Sequence, residues 1–349
     1  MNIFKMNRIK LKSLKSSVFV ALFLCVIFIL FLSNKFYNLY VFAKTPVDSS
    51  VKVKTNINIY SGHSINAISK LLYKKGIVSD SAKFKLLMRV KRLDKKVRAG
   101  EYELSCSMTP DKIIEILVNG KAMLHKITIP EGYNINQIAA SMAKAGFFLK
   151  SDFIKAATDT DCVKRAGIDG NSFEGYLFPD TYFFPMGISS DKIITIMVER
   201  FKSKFSYEWE NRAKKLHLSI HDVVTLASII EKETGVFFER PIISSVFHNR
   251  LKKNMPLESD PTVIYGIDKF DGNITRKHLA KYTPYNTYRK KGLPIGPIAN
   301  PGIESIHSVL YPADTNYLYF VSKGDKTHKF STNYKNHRKA VKKYQLLRR

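Results

Sequence analysis

"ITIPEGYNINQIAASMAKAGFF", residues 127–148, restates "INIYSGHSINAISKLLYKKGIV", residues 57–78. Ile59 matches Ile129, Gly62 matches Gly132, Ile65 matches Ile135, Asn66 matches Asn136, Ile68 matches Ile138 and Gly76 matches Gly146. Chance rarely aligns both glycines and three isoleucines in register, so the chain carries an internal duplication. Each copy reads as a strand, a glycine turn, a capped helix and a glycine stop. In the first, "VKVKTNINI" (Val51–Ile59) alternates at period two, the pattern of a half-buried strand. Ser64 stands where an N-cap belongs, and Ile65, Ile68, Leu71 and Leu72 form one helical stripe that Gly76 ends. Between the copies, residues 98–122 predict a strand and then a Thr109-capped helix. Pro110 takes its first position and Gly120 stops it.

From Ser151 the texture changes to longer helices and loops rich in proline, glycine and aromatics. Helices are expected over Ser190–Lys204, Ser219–Thr234 and Glu239–Lys252, with a further helical segment near Ile303–Leu310. "FEGYLFPDTYFFP" (Phe173–Pro185) reads as a compact aromatic loop, and Tyr317–Ser322 with His328–Ser331 as a hairpin. Strands and helices are interspersed without βαβ repetition, which is an α+β pattern. Each duplicated copy loosely resembles the small strand-helix LysM-type module that binds wall glycans. The alternative is a pair of packing scaffolds with no ligand groove.

The 349 residues hold 57 Lys and Arg against 29 Asp and Glu, a net charge of +28. Such an excess suggests an anionic partner: nucleic acid, lipid headgroups or an acidic polymer. The N-terminus chooses among them. Lys5, Arg8, Lys10, Lys12 and Lys15 precede "VFVALFLCVIFILFL" (Val18–Leu32). With Ser16, Ser17 and Ser33 this is about the 18 residues needed to span a bilayer. No small-x-small cleavage site follows, so a retained anchor is favoured over a signal peptide. The positive-inside rule then puts the first residues in the cytosol and everything after Lys35 outside. Outside, a basic body meets acidic wall polymers and lipids rather than nucleic acid. The run Lys83–Arg98 reads as a solvated helix face, and the basic tail Lys335–Arg349 as a headgroup contact or a frayed end. The expected order is a basic tail at 1–15, a transmembrane helix at 16–33 and a linker at 34–50. Duplicated LysM-like modules at 51–150 and an α+β catalytic domain at 151–349 follow. Cys25, Cys106 and Cys162 have no metal-binding spacing, and whether Cys106 pairs with Cys162 is open.

The chemistry turns on "ASIIEKETGVFFER", Ala227–Arg240. Ser219 caps this helix with Asp222 as a capping-box partner. Val223, Leu226, Ala227 and Ile230 share one face, Glu231 and Glu233 lie at its two borders, and Lys232 points away. The plain reading is a surface helix end with two solvated acids. The sharper one is that a carboxyl at an apolar border is desolvated, keeps its proton near neutrality and acts as a general acid. Glycoside cleavage needs such a donor. Tyr176, Phe178, Tyr182, Tyr265, Tyr285, Asn286 and Tyr288 are suited to stacking on sugars, and equally to filling a core. No GxSxG, HExxH, GxxxxGK[ST] or GxGxxG occurs. His248, His278, His307, His328 and His337 are scattered.

"ASIIEKETG", "SSVFHNRL", "PLESDPTVIYGI", "YNTY", "KGLPIGPIANPG", "DTNYLYFV" and "HKFS", in this order, resemble the MltG (YceG-like) family of endolytic murein transglycosylases. The match runs from about Val51 to about Tyr344. The resemblance implies non-hydrolytic cleavage of the MurNAc–GlcNAc β-1,4 bond of nascent glycan strands, leaving a 1,6-anhydro end. It places the catalytic glutamate, the second of E-K-E, on Glu233. Glu231, Asn249, Glu258, Asp260, Tyr285, Asn286 and Thr287 become cleft candidates or loop braces. No cofactor or metal is implied. The implied partners are peptidoglycan strands, peptidoglycan synthases and, through the anchor, the membrane; nucleic acid is not among them. Glu258 stands where the family usually has glutamine, Asn254 replaces a glycine and Ile295 a proline. If Glu258 faces the cleft, its charge raises the pKa of Glu233. Three rivals stay open: a two-carboxylate hydrolase pairing Glu233 with Glu231 or Asp260, a non-enzymatic wall-binding scaffold, and a nucleic-acid binder, which the topology of the anchor decides.

Overall fold

The apolar N-terminal run meets no proline before Pro46 and forms one helix, α1 (Ile3–Lys44). The computed structural model describes residues 3–51, 53–120, 123–268 and 270–347, with side chains from residue 22 onward. The side chains of the basic 1–15 tail, and Arg348 and Arg349, lie outside that description. Leu22–Lys44 is long and apolar enough to cross a membrane. Residues 34–44, expected as linker, are helical, and they continue into a folded core. Leu39, Phe42 and Ala43 are buried among the first unit's apolar side chains, and Lys44 pairs with Asp111 at 3.0 Å.

The chain divides into two compact units, residues 1–124 with 185–187, and residues 125–184 with 188–349. The first follows α1 with β1 (Thr55–Ile59), α2 (Ile65–Lys74), α3 (Ser81–Val90), β2 (Gly100–Leu104) and α4 (Pro110–Asn119). β1 and β2 pair antiparallel with Ile57 opposite Tyr102. Ile57 and Ile59 point inward as the alternation requires, joining Ile68, Leu72, Phe84, Leu104, Ile113 and Leu117. Ser64 and Thr109 cap their helices as expected.

The second unit holds β3 (Leu124–Thr128, from His125), α5 (Ile135–Lys144), α6 (Lys150–Ala157), α7 (Thr160–Arg165), β4 (Thr181–Pro185, to Phe184) and α8 (Ser190–Lys204). Then come α9 (Tyr207–Lys215), α10 (Ile220–Glu233), a 3-10 turn (Phe237–Glu239), α11 (Arg240–Lys252), α12 (Asp260–Tyr265) and α13 (Arg276–Ala280). α14 (Ile303–Leu310), the hairpin β5 (Tyr319–Ser322) and β6 (His328–Ser331), and α15 (Tyr334–Val341) complete it.

The two copies share element order, a helix of ten residues and left-handed glycines at both turn and stop. Gly62 and Gly132 have φ of +86° and +74°, Gly76 and Gly146 +69° and +81°. The division between compact units falls between the copies, which the sequence groups side by side at 51–150. The reason is that α5 packs on α6, and its turn is fastened to residues far along the second unit. Gly132 donates to the Asn300 carbonyl, and Asn300 returns a bond to the Tyr133 carbonyl, each at 2.9 Å. All three cysteines are free thiols.

Candidate active site

α10 is the axis of the second unit. Its eight residues Val223–Ile230 are buried on every side, against α9, α11, α12 and α14. This corrects the one-faced surface helix read from spacing: apolar side chains all round mean a buried helix. Ser219 and Asp222 form the expected capping box. Gly175 has φ of +88°, and a Cβ there would fall 2.6 Å from both Pro297 and Val224, so this loop lies tight against α10.

At the last turn the two glutamates part. Glu231 is engaged on both oxygens. Oε1 accepts from Arg240 at 3.2 Å, and Oε2 accepts from the Gly302 N–H at 3.0 Å and the Ser305 hydroxyl at 2.7 Å. It thus receives the first donors of α14, a favourable place for an anion.

Glu233, the final residue of α10, is half-buried and faces the 258–262 turn. The Ser259 hydroxyl donates to its Oε1. Burial pushes the Glu233 carboxyl up to about 7. The Ser259 hydrogen bond opposes that rise, the Asp260 charge adds to it, and Arg250 opposes it. Glu258, expected to act on Glu233 if it faced the cleft, turns instead to Arg250 at 2.9 Å. Its backbone is left-handed, φ +51°, as is that of Asn254, φ +52°. Asn tolerates that conformation, which suits its place at a glycine position.

The remaining candidates sort by their partners. Asp260 accepts from the Tyr288 hydroxyl at 2.7 Å. Thr287 is buried behind Ser259, its Oγ1 accepting the Ser259 N–H at 3.0 Å. Asn286 spends its amide on the carbonyls of Leu279 and Lys281, at 3.0 and 2.6 Å. Asn249 does the same for Thr315 and Tyr317, at 2.8 and 3.0 Å. Tyr285 stands edge-on to Tyr265, ring centroids 4.8 Å apart. Tyr285 lines a cavity of about 180 Å³ together with Glu174, His221 and Pro297. After Glu233, the 3-10 turn holds Phe237 and Phe238 outward, 64% and 66% exposed. The turn is pinned behind by buried Glu239, which accepts from the His328 N–H at 2.8 Å and meets its Nδ1 at 2.7 Å.

Sequence reasoning missed Glu174. It is 3% exposed, and burial raises its carboxyl to about 7 against the hydrogen bonds of Ile135, Tyr265 and Asn300. The Ile135 N–H donates at 3.1 Å, Asn300 at 3.0 Å and the Tyr265 hydroxyl at 2.8 Å. The signal was a single acid in the otherwise aromatic "FEGYLF".

The profile of the YceG-like family matches residues 57–343. An endolytic murein transglycosylase of Bacillus subtilis is 36% identical over 315 residues, covering 86% of this chain and 87% of the relative. One from Streptococcus pneumoniae is 29% identical over 308 residues, which is 79% of this chain and 56% of that protein. The crystal structure of a yceG-like protein from Listeria monocytogenes superposes with a TM-score of 0.57 at 35% identity. That match covers 83% of this chain and 99% of the other.

Proposed function

Since the chain belongs to the YceG-like family, we propose that it is an endolytic murein transglycosylase in which Glu233 is both acid and base. The observation that carries this reading is a carboxyl at the end of a buried helix with its proton held to about pH 7. Glu233 gives that proton to the oxygen of the MurNAc–GlcNAc β-1,4 bond as it breaks. The resulting carboxylate takes the proton of the muramyl 6-hydroxyl as that oxygen closes on the anomeric carbon. The products are a free GlcNAc hydroxyl end and a 1,6-anhydro-MurNAc end, with no water consumed and no cofactor required. One group serving both steps works best with a pKa near the working pH.

A hydrolase would need a second carboxylate to activate water. Glu231 is occupied on both oxygens, and Asp260 holds Tyr288. In this reading Glu231, Asn249, Asn286 and Thr287 brace the loops, Asp260 and Glu258 border the acid, and Tyr285, Phe237 and Phe238 offer faces to sugar rings. The second duplicated copy is scaffold: Lys232 donates to its Gly132 carbonyl at 3.4 Å. The α1 anchor spans the plasma membrane once, N-terminus in the cytosol, and holds the enzyme where strands leave their synthases, with which it associates. Peptidoglycan carboxylates are the anionic partner of a +28 chain.

The test is digestion of sacculi by the full chain and by Glu233→Gln, with products weighed. Fragments one water lighter than hydrolysed ends are expected from the native protein and none from the variant. Hydrolysed ends, or equal cleavage by Glu233→Gln, would overturn the reading.

A further inference from the structure

Ser259 occupies the N-cap position of α12, where a serine hydroxyl ordinarily accepts an N–H of its own helix. Here it makes no such bond. It is 1% exposed, and its hydroxyl is spent on Oε1 of Glu233. Among the described residues this is the one hydrogen bond that reaches the Glu233 carboxyl.

The backbone of Ser259 is held independently of that hydroxyl. Thr262 Oγ1 donates to the Ser259 carbonyl at 2.6 Å, so toward Thr287 Oγ1, 2.9 Å away, it can only accept. The Thr287 hydroxyl therefore donates to Thr262, and Thr287 Oγ1 accepts the Ser259 N–H at 3.0 Å. This closed ring of two threonines and one backbone unit, all buried, fixes where the serine hydroxyl stands.

We infer that Ser259 is a positioning residue: by donating to Oε1 of Glu233 it assigns the travelling proton to Oε2, the oxygen that meets the glycan. In the acid step, Oε1 is the carbonyl oxygen accepting from Ser259, and the proton leaves Oε2 for the glycosidic oxygen. In the second step the same bond keeps Oε1 occupied, and Oε2 takes the proton of the 6-hydroxyl. The carboxyl ends as it began. The inference rests on Glu233 being the acid. A hydrogen bond to the charged form also favours the carboxylate, so removing it moves the titration upward.

The experiment compares pH–rate profiles on glycan strands for the full chain in detergent, native, Ser259→Ala and Ser259→Thr. Ser259→Ala leaves the backbone ring in place. It is expected to lower kcat by ~10- to 100-fold with KM little changed, and to move the alkaline limb up by about one pH unit, the size of one such bond. Ser259→Thr restores the donor and should return the limb to the native position. An unmoved limb in Ser259→Ala overturns the inference whatever the rate. Should Ser259→Ala not fold, Ser259→Thr decides: a displaced limb or a lost rate in that variant overturns it. If the native chain releases no anhydro ends, the reading of Glu233 fails instead, and the two failures stay distinct.

Discussion

Glu233→Gln should widen the variant's stability margin over the native protein as the pH rises, while it removes activity. The unfolded chain ionises this carboxyl near 4.5, the folded chain at about 7. As pH climbs between those values the unfolded state loses its proton first, so the native state binds more protons and stability falls. The stabilisation is complete below about pH 4.5 and lost as pH passes about 7. A gap of roughly 2.5 units is worth about 3 kcal/mol. Glutamine cannot ionise, and its carbonyl still accepts from Ser259. The stability of the variant relative to native should therefore grow by about 3 kcal/mol from pH 4.5 to pH 8.5. Glu174, raised to about 7 as well, produces a parallel fall in both proteins, so the variant flattens the pH dependence without abolishing it. Trp209 is the only tryptophan and lies in α9 against Phe205 and His307, so its fluorescence reports the second unit. Urea unfolding of the full chain in detergent at a series of pH values gives the comparison. Parallel curves for native and variant would refute the claim that this carboxyl is desolvated.

Glu231→Ala should cost about 3 kcal/mol in the same assay, because it leaves Arg240, whose side chain is 11% exposed, with only the more distant Glu131 at 3.7 Å and removes the acceptor of Gly302 and Ser305. Glu258→Gln should change stability by less than about 1 kcal/mol, since its carboxylate is 42% exposed, glutamine keeps an acceptor for buried Arg250, and Arg250 still donates to the carbonyls of Pro256, Leu257 and Leu318. Phe42→Ala should destabilise the first unit by about 3–5 kcal/mol, seen as faster proteolysis of residues 45–124. If α1 were dispensable to that unit, the digestion rate would not change.

The duplication, the caps and the helix spans were legible because they depend on local rules. Ser64, Ser219, Thr109 and the left-handed glycines act within a few residues of themselves. Helix α10 misled because spacing reports which face is apolar and is silent about how many neighbours surround the helix. Once α9, α11, α12 and α14 close around it, the polar face implied by Thr225 and Ser228 is interior too, and Ser228 bonds its own helix's Thr225 carbonyl at 2.7 Å. Ser259 and Glu174 were hidden for a related reason. Their partners, at Glu233 and Thr287 and at Ile135, Tyr265 and Asn300, are distant in sequence and joined only by the fold.

Two carboxyls two residues apart end in opposite circumstances because a helix turns about 200° between them. Glu231 swings toward the start of α14, where free N–H groups and Arg240 welcome a charge. Glu233 swings toward Ser259 and Asp260, at the C-terminal end of its own helix, where the carbonyl ends and an acid neighbour both disfavour ionisation. The intervening Lys232 reaches back to the Gly132 carbonyl and leaves both acids alone. An alanine in place of either glutamate therefore removes a different thing: at 231 the tie between α10 and α14, at 233 the proton. A protein built for wall binding alone has use for the first and none for the second. Under the proposed reading, the stability lost at Glu233 as the medium turns alkaline is what holding that proton at the end of α10 entails.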